Sequence, residues 1–171
     1  FEEMQGVFDA KGVDPSKMPG DPENDFMRAT GAGRGFAVTG GVAAAVKAAI
    51  KELDPEREVL VEHADGLREC RKMLAMAKAG KYNGYLLEGM GCPGGCVNGG
   101  GQPVQPAEVR NFVDLRAMRA AGLYADDAGK AVRKSHENPA IQELYKDFFG
   151  EPGSHLAHEV LHTHYRERSR F

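Results

Sequence analysis

REVLVEHADGLRECRKMLAMAKAGKYNGYLL, residues 57–87, decides the fold. Residues 57–62 are rich in apolar and β-branched side chains, which predicts a short buried strand. Asp65 then stands where a helix N-cap belongs, with Leu67, Cys70, Leu74 and Ala77 spaced as one apolar stripe and Gly80 as the stop. Residues 82–87 read as a second strand. Strand, helix and strand in that order favour a parallel β-α-β unit, because parallel strands need a long crossover between them.

Upstream, Thr39 is placed to cap a helix whose apolar positions are Val42, Val46, Ala49, Ile50 and Leu53, ending before Pro55. Residues 1–28, with Gly12, Pro15, Pro19, Gly20 and Pro22, predict a loop-rich lead-in. Downstream of Pro106 the chain reads helical, with breaks at Gly122, at Asn138-Pro139 and at residues 150–153. Asn138 and Ser154 are expected N-caps, with Pro139 at a first helical position. The expected organisation is a lead-in (1–28), an α/β part (29–105) and a helical tail (106–171). The class is α/β, a short parallel sheet flanked by helices.

A chain of 171 residues with 22 basic and 25 acidic side chains, net charge -3, has no surface suited to nucleic acid as its main partner. No apolar run approaches the roughly 20 residues of a membrane helix. The chain opens on Phe1 rather than Met, and we expect a segment upstream of it. Three cysteines, two of them four apart among glycines, suit a metal site in a reducing, cytoplasmic setting better than a disulfide framework.

Those two are in the second decisive stretch, EGMGCPGGCVNGGGQP, residues 88–103, which follows the second strand. Cys92 and Cys96 in an irregular loop can turn both sulfurs to one metal centre. Thiolates are soft ligands suited to iron-sulfur clusters or zinc. The seven glycines allow close backbone approach and leave amide N–H groups for sulfide or cyanide acceptors. Spacing alone leaves iron-sulfur and zinc both open.

The pattern Glu-x-Met-x-Cys-x-x-Gly-Cys-x-x-Gly-Gly-Gly-Gln-Pro resembles the third signature motif of iron-only (FeFe) hydrogenases. GAGRGFAVTGGV (31–42) resembles that family's glycine-rich turn and helix, and HEVLHTHY (158–165) its C-terminal tail. The resemblance implies one lobe, the C-terminal half, of the catalytic domain that holds the H-cluster, a 4Fe-4S cubane joined to a diiron subcluster. It implies reversible interconversion of H2 with protons and electrons. Cys92 would bind the cubane, Cys96 would bridge cubane and diiron subcluster, and Met90 would pack at the diiron end. Gly94, Gly95, Gly99, Gly100 and Gln102 would line the cofactor. The family's other two motifs, which bring two further cubane cysteines, a proton-relaying thiol and a lysine, are not in this sequence. The remaining ligands are therefore expected from an upstream half or a partner subunit, with ferredoxin or another redox protein as electron partner. Ala44 and Gly91 depart from the common family pattern, which suits a slow or sensory member. A non-enzymatic iron-sulfur assembly protein is the alternative, since such relatives share much of the motif.

Three other features compete. His158-Glu159-Val160-Leu161-His162 fits the zinc-protease pattern, but only nine residues follow His162 and no third ligand is in place. The run from Gly31 to Phe36 leaves no strand and lacks dinucleotide-loop spacing. Cys70 is expected to be a packed structural thiol, Met73, Met76 and Met118 core, and Arg166, Arg168 and Arg170 a solvated end.

Overall fold

The computed structural model describes residues 1–19, 30–167 and 169. In chain order the helices and strands are α1 (Glu2–Lys11), α2 (Gly31–Gly35), α3 (Gly41–Leu53), β1 (Leu60–Asp65), α4 (Leu67–Lys78), β2 (Tyr85–Met90), α5 (Ala107–Arg110), α6 (Leu115–Ala128), α7 (Pro139–Leu144) and α8 (His155–Leu161). The β-α-β unit is present as expected. β1 and β2 pair in parallel, from Leu60 opposite Tyr85 to Asp65 opposite Met90, and α3 and α4 pack against them. Both strands lie about three residues further along than the composition suggests. The ladder runs on through His63, Ala64 and Asp65 because the partner strand supplies their hydrogen bonds, which a run of β-branched residues does not reveal.

Parallel pairing brings the carboxyl ends of both strands to one edge, where Gly66 N–H donates to Met90 O at 2.8 Å. Ligand sites in open α/β sheets gather at that edge. Here the loop that follows Met90 carries the two cysteines.

The lead-in is not all loop. α1 forms because its first turn holds Glu2 and Glu3, its last Lys11, and Gly12 closes it in the left-handed region (φ 65°). Every proline of that segment lies beyond Gly12, so none interrupts the helix. Residues 20–28 lie outside the described residues. Glu2 accepts the Val104 N–H at 2.7 Å, which holds its carboxyl below the usual range and ties α1 to the end of the cysteine loop.

α3 starts at Gly41 against the turn that leaves α2. A Cβ on Gly41 would stand 1.9 Å from Gly35 O, so only glycine allows this approach. Thr39 does not cap α3. The Glu88 carboxylate of β2 does, accepting Gly40 N–H at 2.6 Å and Ala43 N–H at 2.7 Å. A carboxylate there also answers the positive end of the helix dipole.

On α4 the face turned inward carries Cys70, Met73 and Ala77, with Met73 buried. Leu67 and Leu74, expected on that stripe, are 76% and 63% exposed, since they sit to one side of the strip that the sheet covers. Met118 is likewise exposed on α6. Gly122 does not break α6, which continues to Ala128, because one glycine inside a helix costs only about 1 kcal/mol.

The tail caps are where expected. Asn138 Oδ1 accepts Ala140 N–H at 3.0 Å with Pro139 next to it, and Ser154 Oγ accepts Ala157 N–H at 3.1 Å. The Ser154 hydroxyl also donates to Phe149 O at 2.6 Å, joining α8 to the turn that ends α7. Ser154→Ala is expected to lower unfolding free energy by about 1 kcal/mol, read by chemical denaturation. α6 is capped by Asp114, whose carboxylate accepts the Arg116 and Ala117 N–H groups at 3.1 Å each. The Ala117 amide foremost holds this carboxyl below its ordinary 3.8. A depressed carboxylate contributes stability above its unfolded value and loses that contribution as pH falls through the folded one. Thermal stability should therefore drop below about pH 4, and less steeply in Asp114→Asn, which keeps an acceptor but does not titrate.

Candidate metal centre

The loop from Gly91 to Gln105 leaves the carboxyl edge of the sheet and is held from three sides. Cys92 is half-buried, Cys96 exposed, and both thiols are free. Between them the chain turns tightly, with Gly95 N–H donating to Cys92 O at 2.9 Å. Gly94 N–H donates to Asp65 Oδ1 at 2.6 Å, and the same oxygen accepts the Thr39 hydroxyl at 3.3 Å. Asp65 is thus not the N-cap of α4; that position is Gly66, and the carboxylate turns to the cysteine loop instead.

The second side is the turn before α3. Thr39 N–H donates to Gly94 O at 3.3 Å and Val97 N–H to Ala37 O at 3.1 Å. Gly95 passes so close that a Cβ there would lie 2.6 Å from Ala37 O and 2.8 Å from Thr39 N, and its φ is +93°. Val97, next to Cys96, is buried at 4% exposure.

The third side is α6. The Arg119 guanidinium donates to Val97 O and Pro103 O, each at 2.9 Å, and the stem of Arg116 lies under Gly94. Within the loop, Asn98 Nδ2 donates to Pro93 O at 3.0 Å and Gln102 Nε2 to Cys96 O at 3.3 Å. A Cβ on Gly99 would meet Cys92 Sγ at 3.6 Å and Cys96 O at 3.2 Å, so the first thiol lies over a stretch bare of side chains. Gly100 borders open space. The Gly94, Gly95 and Gly99 amides are engaged by Asp65, Cys92 O and Cys96 O, so these three serve the loop itself rather than standing free for a cofactor.

Met90 ends β2 two residues before Cys92 and is half-buried. Cys70 is elsewhere: its thiol donates to Met90 O at 3.4 Å and Ala64 O at 3.6 Å and packs on Gly89, the structural role expected of it. The Cys92 thiol beside bare glycine backbone and the exposed, free Cys96 thiol have the donor chemistry of two of the four thiolate positions of an iron-sulfur cubane. The chain has no further cysteine to offer.

The other candidates do not assemble a site. His158 and His162 stand with Nδ1 atoms 3.5 Å apart, but Glu159 faces His155, and no third ligating group joins them among the described residues. A cluster not read from the sequence, Glu52, His136 and Glu137, is exposed and already holds the Lys134 ammonium, 2.8 Å from Glu52 and 3.3 Å from Glu137. That ammonium holds Glu52 below the usual carboxylate range, and Glu52 in turn raises Lys134. Among the described residues no helix is long and apolar enough to cross a membrane. Arg166 is exposed, as expected; Arg168 and Arg170 lie outside the described residues.

Residues 1–100 match the family model for the iron only hydrogenase large subunit, C-terminal domain. The chain belongs to the iron-only hydrogenase family. Residues 113–168 of this iron-only hydrogenase relative match a second model, the iron hydrogenase small subunit. The NADP-reducing hydrogenase subunit HndD of Solidesulfovibrio fructosivorans is 40% identical over 181 residues, covering 88% of this chain and 30% of that protein. Cytosolic iron-sulfur assembly component 3 of Bos taurus is 33% identical over 115 residues, covering 66% of this chain and 23% of its own. A solved FeFe-hydrogenase, described for oxygen inactivation of its H cluster 2Fe subcluster, overlays with a TM-score of 0.66 at 29% identity, across 95% of this chain and 53% of that one. This member of the hydrogenase family therefore spans about a third or less of the curated relatives it matches, and about half of the solved one. Its small parallel sheet with surrounding helices is the hydrogenase arrangement.

Proposed function

We propose that this chain is the cysteine-bearing lobe of an FeFe hydrogenase, an oxidoreductase that reversibly interconverts H2 with protons and electrons. The observation that supports it is the Cys92–Cys96 turn: two free thiols at the carboxyl edge of a parallel β-α-β unit, fastened by Asp65, by the turn before α3 and by Arg119. In this reading Cys92 would hold the 4Fe-4S cubane, and Cys96 would hold the cluster where cubane and diiron subcluster join. When bound, that H-cluster supplies the redox chemistry, as cofactors do in such enzymes. The chain's own residues grip and orient it. Met90 would shield the diiron end, and Gly99 and Gly100 would leave backbone bare of side chains beside the cluster. Gly94 and Gly95 let the loop close on α6 and on the turn before α3, and Gln102 braces the Cys96 carbonyl. The remaining ligands come from an upstream half or a partner subunit, with ferredoxin or a similar carrier exchanging electrons, in the cytoplasm. The departures at Ala44 and Gly91 suit a slow or sensory member.

Infrared spectroscopy of the full-length protein after maturation tests this: bands from iron-bound CO and cyanide are expected, and their absence in a fully loaded sample removes the claim. The second reading, iron-sulfur assembly without a diiron centre, is supported by the likeness to the bovine assembly component. A cubane electron-spin signal with neither CO bands nor H2 turnover would select it.

A further inference from the structure

We infer that Arg119 is a positioning residue that holds the cysteine loop closed, and that the segment matching the small-subunit model thereby braces a loop whose two cysteines lie in the large-subunit match. Arg119 lies in the 113–168 match, whereas both cysteines lie in the 1–100 match. Its guanidinium reaches 22 residues back to Val97 O and 16 back to Pro103 O, both at 2.9 Å and both part-buried. Those carbonyls flank the run Asn98 to Gln102, so one side chain gathers the two ends of the glycine stretch.

The planar fork of arginine supplies two N–H donors in fixed directions, and charge strengthens each bond. A lysine ammonium at the same place reaches one carbonyl at most in comparable geometry. Val97 is also the peptide neighbour of Cys96, and Gln102 Nε2 closes on Cys96 O inside the same gathered loop. Releasing the clasp therefore frees the run from Asn98 to Gln102 while leaving the Val97–Ala37 bond and the Asp65–Gly94 bond in place. Arg116, one turn earlier on α6, touches Gly94 only through its aliphatic stem and makes no such pair of bonds.

The test compares full-length wild type with R119M and R119K. Amide exchange by mass spectrometry across residues 98–102 is expected to quicken at least tenfold in both variants. Exchange in β1 and α4, and the helical circular dichroism, should stay as in wild type. In samples loaded with a cubane, the electron-spin signal should broaden in both. The electron-spin readout rests on the hydrogenase reading; the exchange and dichroism readouts do not. Faster loop exchange in a protein that never takes up iron keeps the clasp and sinks that reading. Loop exchange within twofold of wild type in both variants overturns the clasp, whatever iron is bound.

Discussion

Alanine at position 95 is expected to cost the protein its ability to retain iron. The added Cβ meets two backbone atoms, Ala37 O at 2.6 Å and Thr39 N at 2.8 Å, and neither is the movable end of a side chain. The φ of +93° adds strain of about 1–3 kcal/mol for any residue with a Cβ. Relief requires the loop to pull away from the turn before α3, which breaks the Val97–Ala37 and Thr39–Gly94 bonds and moves Cys96. Gly95→Ala should therefore fall at least tenfold in iron bound per chain and unfold at lower denaturant. Gly122→Ala on α6 is the control, because a Cβ there meets nothing within 4 Å and the residue lies outside the cysteine loop. Iron content in Gly95→Ala equal to that of Gly122→Ala would defeat this account of the loop.

Serine in place of Cys92 or Cys96 separates ligation from folding. Neither thiol takes part in a disulfide, and Cys96 is exposed, so the unloaded variants should melt within a few degrees of wild type. A hydroxyl is a harder and far less acidic donor than a thiol, and iron-sulfur clusters take thiolates. Iron and acid-labile sulfide should be lost from each single variant after reconstitution. Cys70→Ser should keep its iron, because that sulfur faces Ala64 O and Met90 O between α4 and the sheet. Equal cluster yield from Cys92→Ser, Cys96→Ser and Cys70→Ser would show that the loop thiols hold nothing.

The order of elements was legible because it is written in local composition: strand-forming residues, a helical stripe, a second strand, then a dense cysteine-glycine loop. Asn138 and Ser154 were legible as caps because each bonds an amide two or three residues away. Asp65 and Thr39 have equally good cap chemistry, yet tertiary partners claim them: Asp65 turns to Gly94, 29 residues on, and Thr39 to Asp65. Glu88 caps a helix 45 residues upstream, and Arg119 closes a loop 22 residues away. No spacing rule reaches that far. Of the α4 stripe Leu67, Cys70, Leu74 and Ala77, composition favours the two large leucines, whereas the covered face, chosen by where β1 and β2 lie, takes Cys70 and Ala77 with Met73 and leaves both leucines exposed.

Val97 has a thermodynamic corollary. One peptide bond separates an exposed thiol that would grip metal from a side chain in the core, so occupancy and folding share a single equilibrium. Whatever Cys96 captures tightly raises the melting point by mass action, and damage far away in the core loosens the captive in return. Inside a cell the emptied form is then the one that proteases meet first, so steady-state abundance would track iron supply with no dedicated sensor.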